Sequence, residues 1–266
     1  MEKKFEHSSM NHRINTMLKV DFRRMFTTRF LYIMVGICLV MPILMLVMTT
    51  MVGDTTMADP TTGAEISMGT FTNTWKAIGS YSGANMITMD LTTMCNINML
   101  FFFLAVLVCV FVADDFRSGY AKNLFTVRAK KGDYVISKTI ACSIGGTLML
   151  LAFFVGAMLG GAIAGLPFDT GAAGMGGIVM CMTAKIFLVP LFVSIFLAVS
   201  VAAKQKTWLS LTLGFMAGML LFMMIPMMTP LDSGIMNVMM CLAGGVLFST
   251  GLGAVSKTVL TRTSLV

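Results

Sequence analysis

Apolar residues gather into six long runs, at roughly 30–52, 93–113, 139–161, 177–203, 207–228 and 234–256, with polar stretches between them. Each is close to the ~20 residues an α-helix needs to cross a bilayer. Backbone groups in lipid have no water to bond, so each run is predicted to be helical. Pro42 and Pro190 interrupt the first and fourth runs and predict kinks there, because proline removes a helix hydrogen bond. Pro226 predicts the end of the fifth. The fold expected is an all-α membrane protein with six transmembrane helices in residues 30–266, preceded by a cytoplasmic tail and amphipathic helix in residues 1–29.

Three stretches outside the runs carry information. Ile14, Met17, Leu18, Phe22, Met25 and Phe26 fall on one helical face, and Arg13, Lys19, Arg23 and Arg24 occupy much of the rest. Such a helix either lies in the inner leaflet or packs on another protein. In the outer stretch 53–92, the part through Gly63 reads as irregular. Met68, Phe71, Trp75 and Ile78 predict a short helix lying on the outer leaflet. The stretch after the second run mixes Asp114, Asp115 and Arg117 with Phe116, Leu124, Phe125 and two glycines. That composition fits either a partner-docking segment or a solvated basic loop.

Composition agrees with lipid as the second solvent. Hydrophobic residues make up 57% of the 266 and charged residues 12%, against about 25% charged in soluble domains. The net charge of +7 could suggest nucleic acid, but the basic residues flank apolar runs, so membrane lipid is the expected partner and nucleic acid is not. If the N-terminus is inside, every Lys and Arg except Lys76 and Lys185 falls on the inner side, while Asp54, Asp59, Glu65, Asp90, Asp169 and Asp232 fall outside. This bias predicts both termini in the cytoplasm. Tyr32, Tyr120, Tyr134 and Trp208 mark the predicted inner boundary, and Trp75 and Tyr81 the outer loop.

Little in the chain suggests catalysis. His7 and His12 sit in the N-terminal stretch and build no metal or catalytic set with the rest of the chain. The six cysteines form no CxxC pair and read as small buried hydrophobes. Residues 251–258 approach a phosphate loop ending in Lys257-Thr258, but Ser256 replaces the second glycine and no strand precedes it. The chain is therefore read as a non-enzyme with no cofactor of its own. Candidate pathway groups are Lys185, Asn96 and Asn98 inside runs, and Met216, Met219 and Met223 among 29 methionines. A lysine in a span either faces a cavity or partner or snorkels outward. The methionines serve as membrane filler, as adaptable substrate lining or as a Cu(I) path. Gly156 with Gly160, Gly161 with Gly165, and Gly214 with Gly218 allow close helix approach, within the chain or at a dimer seam.

Together these features resemble the permease subunit of ABC-2 type exporters, of type V exporter-like architecture. The resemblance rests on the helix before the first run, the six runs, and the stretch Asp115-Phe116-Arg117-Ser118-Gly119 followed by Lys122-Asn123-Leu124, with Arg128 and residues 134–138 after it. It implies a coupling helix over 115–124 and two copies of a separate ATP-binding-cassette ATPase, which would hold the ATP and magnesium. It also implies a permease homodimer and a bacterial cell membrane as the setting. In size and run pattern the chain is similar to small permeases that export amphipathic peptides of the phenol-soluble-modulin kind. The short outer loop 229–233 departs from relatives with re-entrant helices there. An ion- or metal-coupled transporter using Lys185, Asp90 or the methionines, and a membrane scaffold without transport, are the other readings.

Overall fold

A computed structural model of the chain describes residues 10–52, 56–58, 65–67, 71–81, 95–126, 130–203, 206–222 and 224–262. His7, Asp54, Asp59, Met68, Asp90, Arg128, Lys204 and Met223 lie outside the described residues. The helices are α1 (Met10–Thr27), α2 (Arg29–Val52), α3 (Leu100–Arg117), α4 (Tyr120–Thr126) and α5 (Lys131–Ile163). They continue as α6 (Gly174–Ala203), α7 (Thr207–Phe222), α8 (Met224–Met228) and α9 (Ile235–Arg262). The protein is an all-α membrane protein in which α2, α3, α5, α6 and α9 are long and apolar enough to cross a bilayer.

The fifth run is helical on both sides of Met223, which lies outside the described residues. Helix α8 ends two residues after Pro226. Helices α2 and α6 run unbroken through Pro42 and Pro190.

The core lies where α3, α5 and α6 meet. Helix α2 packs along α5, α7 leans on α3 and α6, and α9 lies mainly along α6. Leu104, Val108, Leu150, Val189 and Phe196 are fully buried at this centre. The outward faces stay apolar: Ile144, Leu148, Leu151, Val155 and Leu159 line the exposed side of α5. A belt of this kind belongs against lipid rather than water. Thr139, Thr147, Thr183 and Ser194 donate to carbonyls one turn back, so their hydroxyls stay bonded inside their own helices.

Glycine sets the closest helix approach. A Cβ on Gly156 would overlap the Leu39 carbonyl and sit 2.8 Å from the Pro42 ring, and one on Gly160 would lie 2.8 Å from the Ile43 Cα. This pair therefore seats α2 on α5 within one chain. Gly156→Ala is expected to force the helices apart and destabilise the protein by about 1–3 kcal/mol. Gly36→Ala, with open space around it, should be neutral or slightly stabilising. Thermal unfolding in detergent compares the two, and an unchanged midpoint for Gly156→Ala would refute the assignment.

The outer segment also differs from expectation. Thr56–Ala58 (β1) and Glu65–Ser67 (β2) pair antiparallel, with Met57 opposite Ile66, where irregular chain was expected through Gly63. Among the described residues around Trp75, 71–81, no helix lies on the leaflet. A 3-10 turn, Thr74–Ala77, plugs into the bundle end with Phe71, Trp75 and Ile78 buried. Trp75 stacks on Phe154 at 6.2 Å and meets Phe168 edge-on at 5.8 Å. The apolar stripe thus turns inward, where Phe154 of α5 and Phe168 beyond its end offer aromatic partners.

Candidate functional site

Helix α1 is amphipathic, as its pattern predicts, but its buried stripe includes an acid. Met17, Asp21 and Met25 share one face at i, i+4, i+8 and all three are buried against α5. The Asp21 carboxylate lies 2.8 Å from the Lys138 ammonium and accepts from the Ser137 hydroxyl at 2.6 Å. Lys138 reaches a second carboxylate, Asp115 at the end of α3, at 2.7 Å. Asp115 also accepts from Arg24 at 2.6 Å and from the Tyr134 hydroxyl at 2.8 Å. Two acids and two bases from α1, α3 and α5 thus balance in charge; Asp21, Asp115 and Lys138 are buried, while Arg24 stays partly exposed and also reaches the exposed Asp114 at 3.6 Å.

Aromatic faces complete the cage. The Lys138 ammonium sits 4.0 Å from the Phe111 ring centre, and the Arg24 guanidinium 4.2 Å from that of Tyr120, distances at which a ring quadrupole attracts a cation. Burial acts to lower the Arg24 pKa, but the charge and hydrogen bond of Asp115 outweigh it and hold the guanidinium above its ordinary value. Burial, then the Asp21 charge, push the Tyr120 hydroxyl up. Both groups keep their usual protonation states. At the edge of the cluster Arg13 pairs with Asp133 at 3.1 Å.

The segment expected to form one docking helix over 115–124 is divided instead. Asp115, Phe116 and Arg117 form the last turn of α3, because the helix hydrogen bonds continue past the acids once Asp115 has buried partners. Asp115 is 0% exposed and Phe116 is buried, so neither offers its side chain to a partner. The chain then turns at Ser118, whose hydroxyl donates to the Asp114 carbonyl, and at Gly119, whose φ of 74° favours glycine. The Asn123 amide donates to the Gly119 carbonyl as α4 begins. Ala121 is buried, Leu124 and Phe125 are half-buried, and Arg117, Ser118, Lys122 and Asn123 are exposed. Tyr134, expected at the headgroup boundary, is instead fully buried, with Phe125 edge-on at 5.5 Å.

The pathway candidates separate into two groups. Asn96, Asn98 and Lys185 come together, all fully buried. The Lys185 ammonium donates to Asn98 Oδ1 at 2.7 Å and to the Thr229 hydroxyl at 2.8 Å, and Asn96 Oδ1 accepts from the Asn98 amide. Thr229 is the member that sequence reading missed; it lay in a loop read only for its length. Among the described residues no carboxylate pairs with Lys185, whose charge is held by neutral oxygens. Met216 and Met219 stand apart on the exposed face of α7.

A family model described as ABC-2 family transporter protein matches residues 18–221. The match begins within α1 and ends at the close of α7, so it takes in the charge cluster and the elbow after α3. No curated protein and no solved structure matches the chain.

Proposed function

Because the chain belongs to the ABC-2 transporter family, we propose that this multi-pass membrane protein is the transmembrane permease of an ATP-driven exporter whose fuel is hydrolysed by a separate ATP-binding-cassette subunit. The observation that carries this reading is the elbow at Ser118–Gly119. It presents Arg117, Ser118, Lys122 and Asn123 outward from a base that the buried cluster fixes to α1 and α5. A partner pressing on that face moves three elements together, because Asp115 cannot shift without dragging Arg24 and Lys138. Rigid coupling of this kind converts closure of an ATPase into movement of spans.

In this reading the cytoplasm lies on the basic side, as the distribution of Lys and Arg favours, in a bacterial cell membrane. Two copies of the chain and two ATPases form the working unit, and no nucleotide binds to this chain. The cargo is an amphipathic peptide or similar hydrophobic molecule. Support comes from the methionine-rich surface of α7, α8 and α9, where Met216, Met219, Met224, Met227, Met236 and Met239 are exposed. Thioethers adapt to varied apolar partners. The buried Lys185–Asn98–Thr229 group acts as a polar latch between the turn that opens α3, α6 and the residue after α8.

Purification of the tagged chain from its native membrane in mild detergent tests the proposal. An ATP-binding-cassette subunit is expected to accompany it in equal amount, with hydrolysis stimulated by cargo. Transport in vesicles holding this chain alone, without ATP, would falsify the reading.

A further inference from the structure

A cleft of about 700 Å³ opens on the flank of the bundle between the first turns of α5 and the last turns of α9. Its size falls in the range of about 300–1,000 Å³ typical of ligand sites. The rim carries Arg13, Lys130, Lys131 and Lys257 against one acid, Asp133. Asp133 is already paired with Arg13, and Lys131 donates to the Leu260 carbonyl at 2.6 Å, closing the end of α9. Among the described residues neither Lys130 nor Lys257 forms an ion pair, and both are exposed. Below the rim the walls become apolar, with Ile136 and Ile140 exposed to the membrane side.

This layering matches one kind of ligand. The α5 wall from Lys131 to Ile140 extends roughly 14 Å at 1.5 Å per residue, about half of a ~30 Å hydrocarbon core. A molecule filling the cleft therefore needs a negative head at the bilayer boundary and an apolar tail about one leaflet deep. We propose that the α5–α9 cleft is a binding site for an anionic phospholipid of the leaflet on the basic side, with Lys130 and Lys257 holding the headgroup phosphate and Ile136 and Ile140 flanking an acyl chain. The site adjoins the elbow, since Lys131 lies 5.9 Å from the Phe125 ring of α4, but Lys130 and Lys257 play no part in the exporter reading, so the two are tested separately.

The full-length chain, purified in mild detergent, is titrated with phosphatidylglycerol or with phosphatidylcholine of the same acyl chains, and bound lipid is counted by native mass spectrometry. Each lysine near a lipid surface contributes about fivefold, so the anionic lipid should bind about 30-fold more tightly. In Lys130→Gln/Lys257→Gln the two lipids should bind alike; should that variant not fold, Lys257→Gln alone should lose about fivefold. Equal binding by the unaltered chain overturns the proposal. So does a preference that survives both substitutions, which would place the lipid elsewhere. Displacement of phosphatidylglycerol by inorganic phosphate alone would make this a soluble-anion site and also overturn it.

Discussion

Lys138→Met is expected to destabilise the protein by about 3–5 kcal/mol, enough to remove most folded chain from a detergent extract. The substitution keeps the length and apolar body of the side chain but leaves two buried carboxylates, Asp21 and Asp115, facing the single charge of Arg24. Both acids are essentially inaccessible, so water cannot screen the surplus charge. Asp21→Asn introduced into the same chain restores the balance, because Arg24 still pairs with Asp115 at 2.6 Å. The double variant should recover more than half of the loss. Thermal unfolding followed by size-exclusion chromatography gives both numbers. A tolerated single substitution, or a double variant no better than the single, would show that the cluster is not balanced as described. The cluster's net worth against an all-apolar replacement is a separate matter, since buried ion pairs often add little stability. Its effect is to fix how α1 sits against α3 and α5.

Arg117→Glu with Lys122→Glu is expected to leave the unfolding temperature unchanged and to weaken capture of the ATPase subunit by about 30-fold, in line with ~2 kcal/mol for an interface hot spot. Cargo-stimulated hydrolysis should fall with it. Both side chains are exposed and form no ion pair among the described residues, so reversing them disturbs nothing inside the chain. A change at Asp115 should act through folding instead. Titrating the purified permease variants with ATPase while monitoring their thermal midpoints separates the two. If reversal of Arg117 and Lys122 leaves affinity and hydrolysis intact, the docking face lies elsewhere.

The membrane fold could be read from the sequence because lipid imposes simple rules. Apolar length and basic flanks located α2, α3, α5, α6 and α9 within a few residues at most ends. The buried network could not be read as easily. Lys138 looked like one more inner-side base, and only its four-residue spacing from Tyr134 marks a shared face. Asp21 carried a clearer signal, since a carboxylate between Met17 and Met25 interrupts an apolar stripe in register. Its partners, however, come from α3 and α5, and no local pattern points to them. The outer plug around Trp75 was misplaced for a related reason. An apolar helical face reports that something apolar will cover it, while choosing between lipid and Phe154 requires the tertiary arrangement. The Lys185 group was half legible: Asn98 and Lys185 stood out as polar residues in apolar runs, whereas Thr229 did not.

The charge cluster also constrains how the polypeptide is made. Asp21 and Ser137 are 116 positions apart, which corresponds to roughly 6–23 s of ribosomal elongation at ~5–20 residues per second. Throughout that interval the nascent N-terminal helix carries a carboxylate whose ammonium has not yet been synthesised. It has to wait at the wet face of the insertion machinery while α2 and α3 enter the bilayer, and it can dock only when the third long hydrophobic segment arrives. Final closure of the end of the bundle that holds the cluster is thus a late event in biogenesis.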